Sequence, residues 1–214
     1  MVADFVAIVL MAYLLGSIPF GLIIAKLKSG LDVRDQGSGK TGATNVMRAA
    51  GTKLGILTIA LDVAKATGAV MLATVILGGG RGAVTVVGVS VAWQQIGQVV
   101  AGMAAVIGHN WPVFAKFRGG RGVTAYFGTL FAIYPPAGIF GAQIVAITAL
   151  RSRHMSLGSI LGALAALSLM IPLAIAYNFP VIYLAYSSAV IGLIVYQHHD
   201  NIKRLRQGTE RRLW

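Results

Sequence analysis

The sequence predicts an all-α, polytopic membrane protein of about seven transmembrane helices, N-terminus outside and C-terminus cytoplasmic. Three observations carry this prediction. The 214 residues are 57% hydrophobic and only 11% charged, too apolar for a soluble domain of this length. Several runs reach the roughly 20 apolar residues that cross a hydrocarbon core of about 30 Å. Of the 18 Lys and Arg residues, all but Lys65 and Arg81 fall on or beside alternate connections, which orients the chain by the positive-inside rule.

In order, the apolar runs are Asp4 to Leu27, Lys53 to Leu77, Ala83 to Ile107, Val123 to Leu150, Met155 to Tyr177 and Phe179 to Gln197. The first is not a secretory leader: no cation precedes it, it is too long, and Lys26 and Lys28 follow. Val123 to Leu150 is interrupted by Pro135-Pro136, so it divides into two short helices, either a transmembrane pair or a re-entrant hairpin. Inside loops are then Lys28 to Thr52, Gly108 to Gly122, Arg151 to His154 and His198 onward. No linker or composition shift divides residues 1–214, which form one domain. The net charge of +12 follows from the same rule and from attraction to anionic headgroups, and nucleic acid is not implied. With no Cys, disulfides, thiol catalysis and thiolate metal sites are excluded.

The first inside loop carries "DQGSGKTGATNVMR", whose Gly-Ser-Gly-Lys-Thr resembles the end of a P-loop. A P-loop needs a Gly where this chain has Arg34, and a preceding strand in an α/β unit. Instead, Gly37, Gly39 and Gly42 let backbone N–H groups converge on an anion. Ser38, Thr41, Thr44 and Asn45 add short hydrogen-bonding side chains, and Arg48 adds a fork suited to two phosphate oxygens. The plain alternative is a polar turn between spans.

A second glycine-basic stretch, "GHNWPVFAKFRGGRGV", lies on the same side. His109 opens it, Lys116 and Arg118 follow, and Gly119, Gly120, Arg121 and Gly122 close it before the next span. His exchanges a proton near neutral pH, which makes His109 a candidate base, although a helix cap is the commoner use of such a residue. Gly79 to Gly82 repeats Gly-Gly-Arg-Gly on the outer side with no His, Ser or Asn nearby, and reads as a turn. In "HHDNIKRLRQGTE", His198 and Asn201 share a helical face, while Lys203, Arg204, Arg206, Arg211 and Arg212 read as a headgroup-binding tail. Asp62 and Lys65 lie at i, i+3 inside the second span, either a functional pair or a self-neutralised one with Lys65 snorkelling to the inner surface.

Together these motifs resemble the bacterial membrane glycerol-3-phosphate acyltransferases that use acyl phosphate as donor. The resemblance runs nearly end to end: "GSGKTGATNVMR", "GHNWPVFAKFRGGRG", "SLGS" at Ser156 to Ser159 and "HHDNIKRLRQGTE" stand in the family's order. Lys40, Thr41, Ala66 and Arg121 depart from its usual residues, and Gly78 to Gln98 is longer than usual. The resemblance implies acyl transfer to the C1 hydroxyl of glycerol 3-phosphate, giving 1-acylglycerol 3-phosphate and phosphate, at the cytoplasmic face of the bacterial plasma (inner) membrane. It implies Ser38 and His109 as catalytic residues. Gly37, Gly39, Thr44, Asn45, Arg48, Gly119, Gly120, Arg121, Gly122, Ser156, His198 and Asn201 would bind substrate, with Asp62 and Lys65 in support. No cofactor, metal or obligatory protein partner is expected; the expected partners are the two substrates and membrane lipids. The His-x-x-x-x-Asp pair of another acyltransferase class is excluded, because Phe114, Ser159, Lys203 and Arg204 stand five residues after the four His residues. The rival from another class is a transporter or channel for an organic phosphate, which would place its ligands near the membrane midplane.

Overall fold

The computed structural model describes residues 1–78, 82–86 and 89–213. Helix α1 (Val2–Ser17) is followed by α2 (Phe20–Ser29) across a break at Ile18 and Pro19. Pro19 lacks an N–H, and the residue before a proline is pushed out of the helical region, as Ile18 is with ψ 113°. The first inside loop contains α3 (Ala43–Ala50), which turns at Gly51 (φ +97°) into the long α4 (Thr52–Leu77). The outer turn expected at Gly79 to Gly82 lies, except for Gly82, outside the described residues.

The expected span Ala83 to Ile107 is instead two elements. An antiparallel hairpin of β1 (Ala83–Val86) and β2 (Val89–Ala92) pairs Val84 with Val91 and Thr85 with Ser90, and α5 (Trp93–Asn110) follows. Hydropathy alone does not separate strand from helix here, but the Val and Thr content does favour strands. The all-α expectation is corrected at this one place. Gln95 Oε1 accepts the Ala92 N–H at 3.0 Å, which starts α5 cleanly after the strand.

The broken pair is α6 (Val123–Ile133) and α7 (Pro135–Ser152), with Pro135 in the first turn of α7. At 11 residues, α6 rises ~16 Å at ~1.5 Å per residue, against a core of ~30 Å. Then come α8 (Met155–Tyr177), α9 (Val181–Gln197) and α10 (His199–Arg206), the last two meeting at 61°. Among the described residues three helical stretches are long and apolar enough to cross a membrane, Val2–Ser29, Thr52–Leu77 and Met155–Tyr177, and the α9–α10 pair counts as a fourth only if its bent halves form one span.

Small residues let these helices approach closely, as expected where lipid rather than water surrounds them. A Cβ on Gly108 of α5 would clash with Tyr13 O of α1, and one on Gly162 of α8 would lie 2.6 Å from Gly141 O of α7. The core gathers around α6: Tyr126, Phe127 and Leu130 pack with Met170, Val190 and Ile194. Its polar atoms are paired, Tyr126 with Ser187 and Thr129 with Tyr186, as burial in an apolar interior demands.

Candidate active site

The first inside loop owes its shape to Asn45. Asn45 Nδ2 donates towards Val33 O (2.6 Å), Lys40 O (2.9 Å) and Gln36 O (3.0 Å), while Oδ1 accepts the Ser38 N–H at 3.0 Å. Expected as a substrate ligand, Asn45 spends its hydrogen bonds holding the loop. Gly37 (φ +53°) and Gly39 (φ +68°) supply the left-handed backbone that this turn needs. A Cβ on Gly37 would also strike Asn45 Oδ1.

The second loop packs against the first. Thr41 N–H donates to Gly119 O at 3.3 Å, and Gly120 N–H donates to His109 O at 3.0 Å. Gly122 (φ +86°) then caps α6, whose first turn, Val123 and Thr124, faces the same space as Arg121. The unpaired N–H groups of that turn favour an anion. Lys116 and Arg118 are exposed and do not line this space.

Between the loops lies a cavity of about 430 Å³. Its polar end is lined by Ser38, Lys40, Thr44, Asn45, Arg48, His109, Arg121, Ser156, Ser159, His198, Asn201 and Glu210. It continues into an apolar slot between Ile59, Val63, Phe127, Phe131 and Val145. Arg121 is partly buried, and its Nε has no hydrogen-bond partner among the described residues. Burial pushes the Arg121 and Lys40 pKa values down, and for Lys40 the neighbouring Arg121 charge adds to the effect. Glu210 opposes this effect at Arg121 without cancelling it, and cations desolvated in this way gain from an incoming anion.

The C-terminal residues close the cavity. Glu210 accepts hydrogen bonds from Asn201 Nδ2 (2.6 Å), Arg204 Nε (2.7 Å) and Ser156 Oγ (2.9 Å). Burial works to raise the Glu210 pKa, but these bonds together bring it below its ordinary value. Arg48 Nη2 reaches Arg212 O at 3.4 Å, and Leu213 N–H donates to Arg153 O at 2.8 Å. The expectation of a tail devoted to headgroups is therefore corrected for Arg204, whose side chain holds Glu210, while Arg212 ties the tail to the site through its backbone carbonyl alone. His198 donates from Nδ1 to Ile194 O at 2.8 Å, which leaves Nε2 as the acceptor of the neutral ring.

Of the residues expected from sequence, Ser38, Thr44, Asn45, Arg48, His109, Arg121, Ser156, His198 and Asn201 share this one cavity. Gly37, Gly39, Gly119, Gly120 and Gly122 shape its loops instead of lining it. Asp62 and Lys65 lie behind His109, 2% and 6% exposed, so both are enclosed by protein and pair with each other. Glu210 escaped the sequence reading. Its signal was a single acid within a run of five cations.

The model of the family described as Glycerol-3-phosphate acyltransferase matches residues 6–208. Glycerol-3-phosphate acyltransferase 3 of Dehalococcoides mccartyi is 46% identical over 215 residues, covering 100% of this chain and 97% of that protein. The glycerol-3-phosphate acyltransferase of Zymomonas mobilis is 39% identical, covering 97% and 95%. Among solved structures, the glycerol 3-phosphate form of PlsY (YgiH), an integral membrane glycerol 3-phosphate acyltransferase, aligns with a TM-score of 0.81 and 37% identity over 97% of this chain and 94% of that one. Its lysophosphatidic acid form aligns with a TM-score of 0.80 and 36% identity, over 97% and 94%. This multi-pass membrane chain belongs to the glycerol-3-phosphate acyltransferase family.

Proposed function

We propose that the chain transfers an acyl group from acyl phosphate to the C1 hydroxyl of glycerol 3-phosphate, releasing 1-acylglycerol 3-phosphate and inorganic phosphate as the first step of phospholipid synthesis. The observation that carries this reading is the single cavity that joins a cationic, loop-built end to an apolar slot. Both substrates are anionic, and the donor and product also carry an acyl chain. Lys40, Arg48 and Arg121 meet the phosphates, and the slot of Phe127, Phe131 and Val145 takes the chain. The solved relatives are named for a glycerol 3-phosphate form and a lysophosphatidic acid form, which fits both ends of the cavity.

In this reaction the C1 oxygen attacks the acyl carbon, the bond from that carbon to the bridging oxygen breaks, and phosphate leaves. The hydroxyl proton ends on phosphate, so no net acid or base is consumed. An acyl phosphate is already an activated donor, and positioning with charge neutralisation supplies much of the rate. Ser38 and the loop N–H groups orient the reacting oxygens. His109 lines the cavity with its Nδ1 3.6 Å from Asp62 Oδ1, but phosphate leaves the donor as an anion able to carry the proton itself, so no protein base is required. We assign proton acceptance to a phosphate oxygen of the bound substrates.

The proposed topology keeps about seven spans, an external N-terminus and an active site at the cytoplasmic face of the bacterial inner membrane. The test is phosphate release by detergent-purified protein given acyl phosphate and glycerol 3-phosphate. Release dependent on both substrates, without a sealed vesicle, supports the enzyme; uptake of an organic phosphate into vesicles with no release supports the transporter.

A further inference from the structure

His109 is held from two sides. Its Nδ1 lies 3.6 Å from Asp62 Oδ1, and its other edge abuts Gly120, where a Cβ would collide with Nε2. The main chain repeats the contact: Gly120 N–H donates to His109 O at 3.0 Å, and a Cβ on Gly119 would strike that same carbonyl. Where His109 sits, the Gly119 to Gly122 loop must sit. From there the Thr41 N–H to Gly119 O bond, 3.3 Å long, carries the placement to the first loop.

Asp62 does not line the cavity, yet it is a charged side chain buried in a membrane helix. Lys65 Nζ lies 2.9 Å from Asp62 Oδ1 and 2.7 Å from Ile18 O, at the break between α1 and α2. Burying an ion pair in this way is costly and yields little stability beyond what apolar side chains would give, so the pair calls for a role. Lys65 ties Asp62 to the break between α1 and α2. Asp62 Oδ1 then faces His109 Nδ1 at 3.6 Å, a contact that favours the tautomer carrying its proton on Nδ1 and orients the ring.

We propose that Asp62 is a positioning residue for the acyl transfer: through His109 it fixes the Gly119 to Gly122 loop, and with it the direction in which Arg121 meets the substrate anion. The proposal rests on the reading of the cavity given above, but not on the identity of the donor.

The test is a double-mutant cycle on detergent-purified full-length protein: wild type, Asp62→Asn, His109→Gln and the double variant. Two quantities are read for each, kcat/KM for acyl transfer and, by calorimetry, the Kd of glycerol 3-phosphate. Asp62→Asn alone is expected to lower kcat/KM by about 10- to 100-fold, the range found when a supporting partner of a site histidine is removed. In the His109→Gln background the same change is expected to cost less than about twofold, because its route of action is already gone. Thermal unfolding of each variant separates this from loss of fold, since a purely structural Asp62 would impose the same factor and the same drop in Tm in both backgrounds. That equality would overturn the proposal. If Asp62→Asn does not fold, Asp62→Asn with Lys65→Met, which also removes the stranded cation, takes its place in the cycle. A wild type silent with acyl phosphate but binding glycerol 3-phosphate would sink the donor assignment, and the binding cycle would then decide on Asp62.

Discussion

Thr41 and Gly119 are joined by a backbone hydrogen bond, Thr41 N–H to Gly119 O at 3.3 Å, and this bond makes two distant glycine-basic loops one structure. Arg48 follows the first loop and Arg121 ends the second, so the bond fixes the registration of two cations that line one cavity. On the proposed function, anion affinity depends on that registration as well as on charge.

Arg48→Ala should therefore weaken substrate use sharply. A charged hydrogen bond of about 1.5 to 3 kcal/mol corresponds to roughly a ten- to hundredfold loss in kcat/KM. Arg81→Ala, in the Gly79 to Gly82 repeat that the charge pattern puts on the outer side, should leave kcat/KM within about twofold, and Arg121→Ala, in the inner copy, should not. Equal losses from Arg121→Ala and Arg81→Ala in a steady-state assay would show that the inner and outer copies have been wrongly told apart.

His109→Gln separates support from proton transfer. With a substrate phosphate as the acceptor, the variant should lose about tenfold in kcat/KM and keep the shape of its pH profile. A general base would cost about 10² to 10⁴ in kcat, with the acidic limb lost.

Glu210 predicts a pH dependence of stability. Its folded pKa lies below the ordinary glutamate value of 4.5 because Asn201, Arg204 and Ser156 stabilise the carboxylate. The folded state thus binds fewer protons than the unfolded one between the two values. The resulting stability is present above about pH 4.5 and is lost as pH falls through the folded pKa. Thermal unfolding across pH should show wild type more stable than Glu210→Gln at neutral pH, with the gap narrowing below about pH 4.5. A constant gap would mean that these bonds do not depend on the Glu210 charge.

Ala142 borders the apolar slot beside Phe131 and Val145. Ala142→Phe should shorten the slot and discriminate against long chains, at about 0.8 kcal/mol for each methylene that no longer fits. A chain-length series of acyl phosphates checks this. An unchanged preference would place the chain elsewhere.

Sidedness is tested by reporter fusions. Those after His154 and Trp214 should read cytoplasmic and one at Gly80 external, and an external C-terminus would undo the assembly of the proposed site.

Much of the site was legible in the sequence because glycine, cation and short polar residues recur in stretches that charge placed on one side. Ser38, Arg48, His109, Arg121 and His198 were found in that way. Asn45 lines the same cavity, yet its amide bonds its own loop, and residue type does not say which way an amide will face. Glu210 was missed because its meaning depends on the tail folding back to Ser156 and Asn201. The hairpin at Ala83 to Ala92 was missed because apolar composition reports burial or lipid contact without reporting period. The partnership of Asp62 with His109 crosses two helices, and no spacing within one segment reveals it.

The central claim is that acyl phosphate and glycerol 3-phosphate react at the acyl carbon within one cavity. Acyl phosphate labelled with heavy oxygen at the bridging position tests it directly, with products followed by mass spectrometry. One labelled phosphate is expected for each 1-acylglycerol 3-phosphate formed, with no label in the lipid. Label in a lipid or fatty acid product, or lipid formed only from a thioester donor, would contradict it.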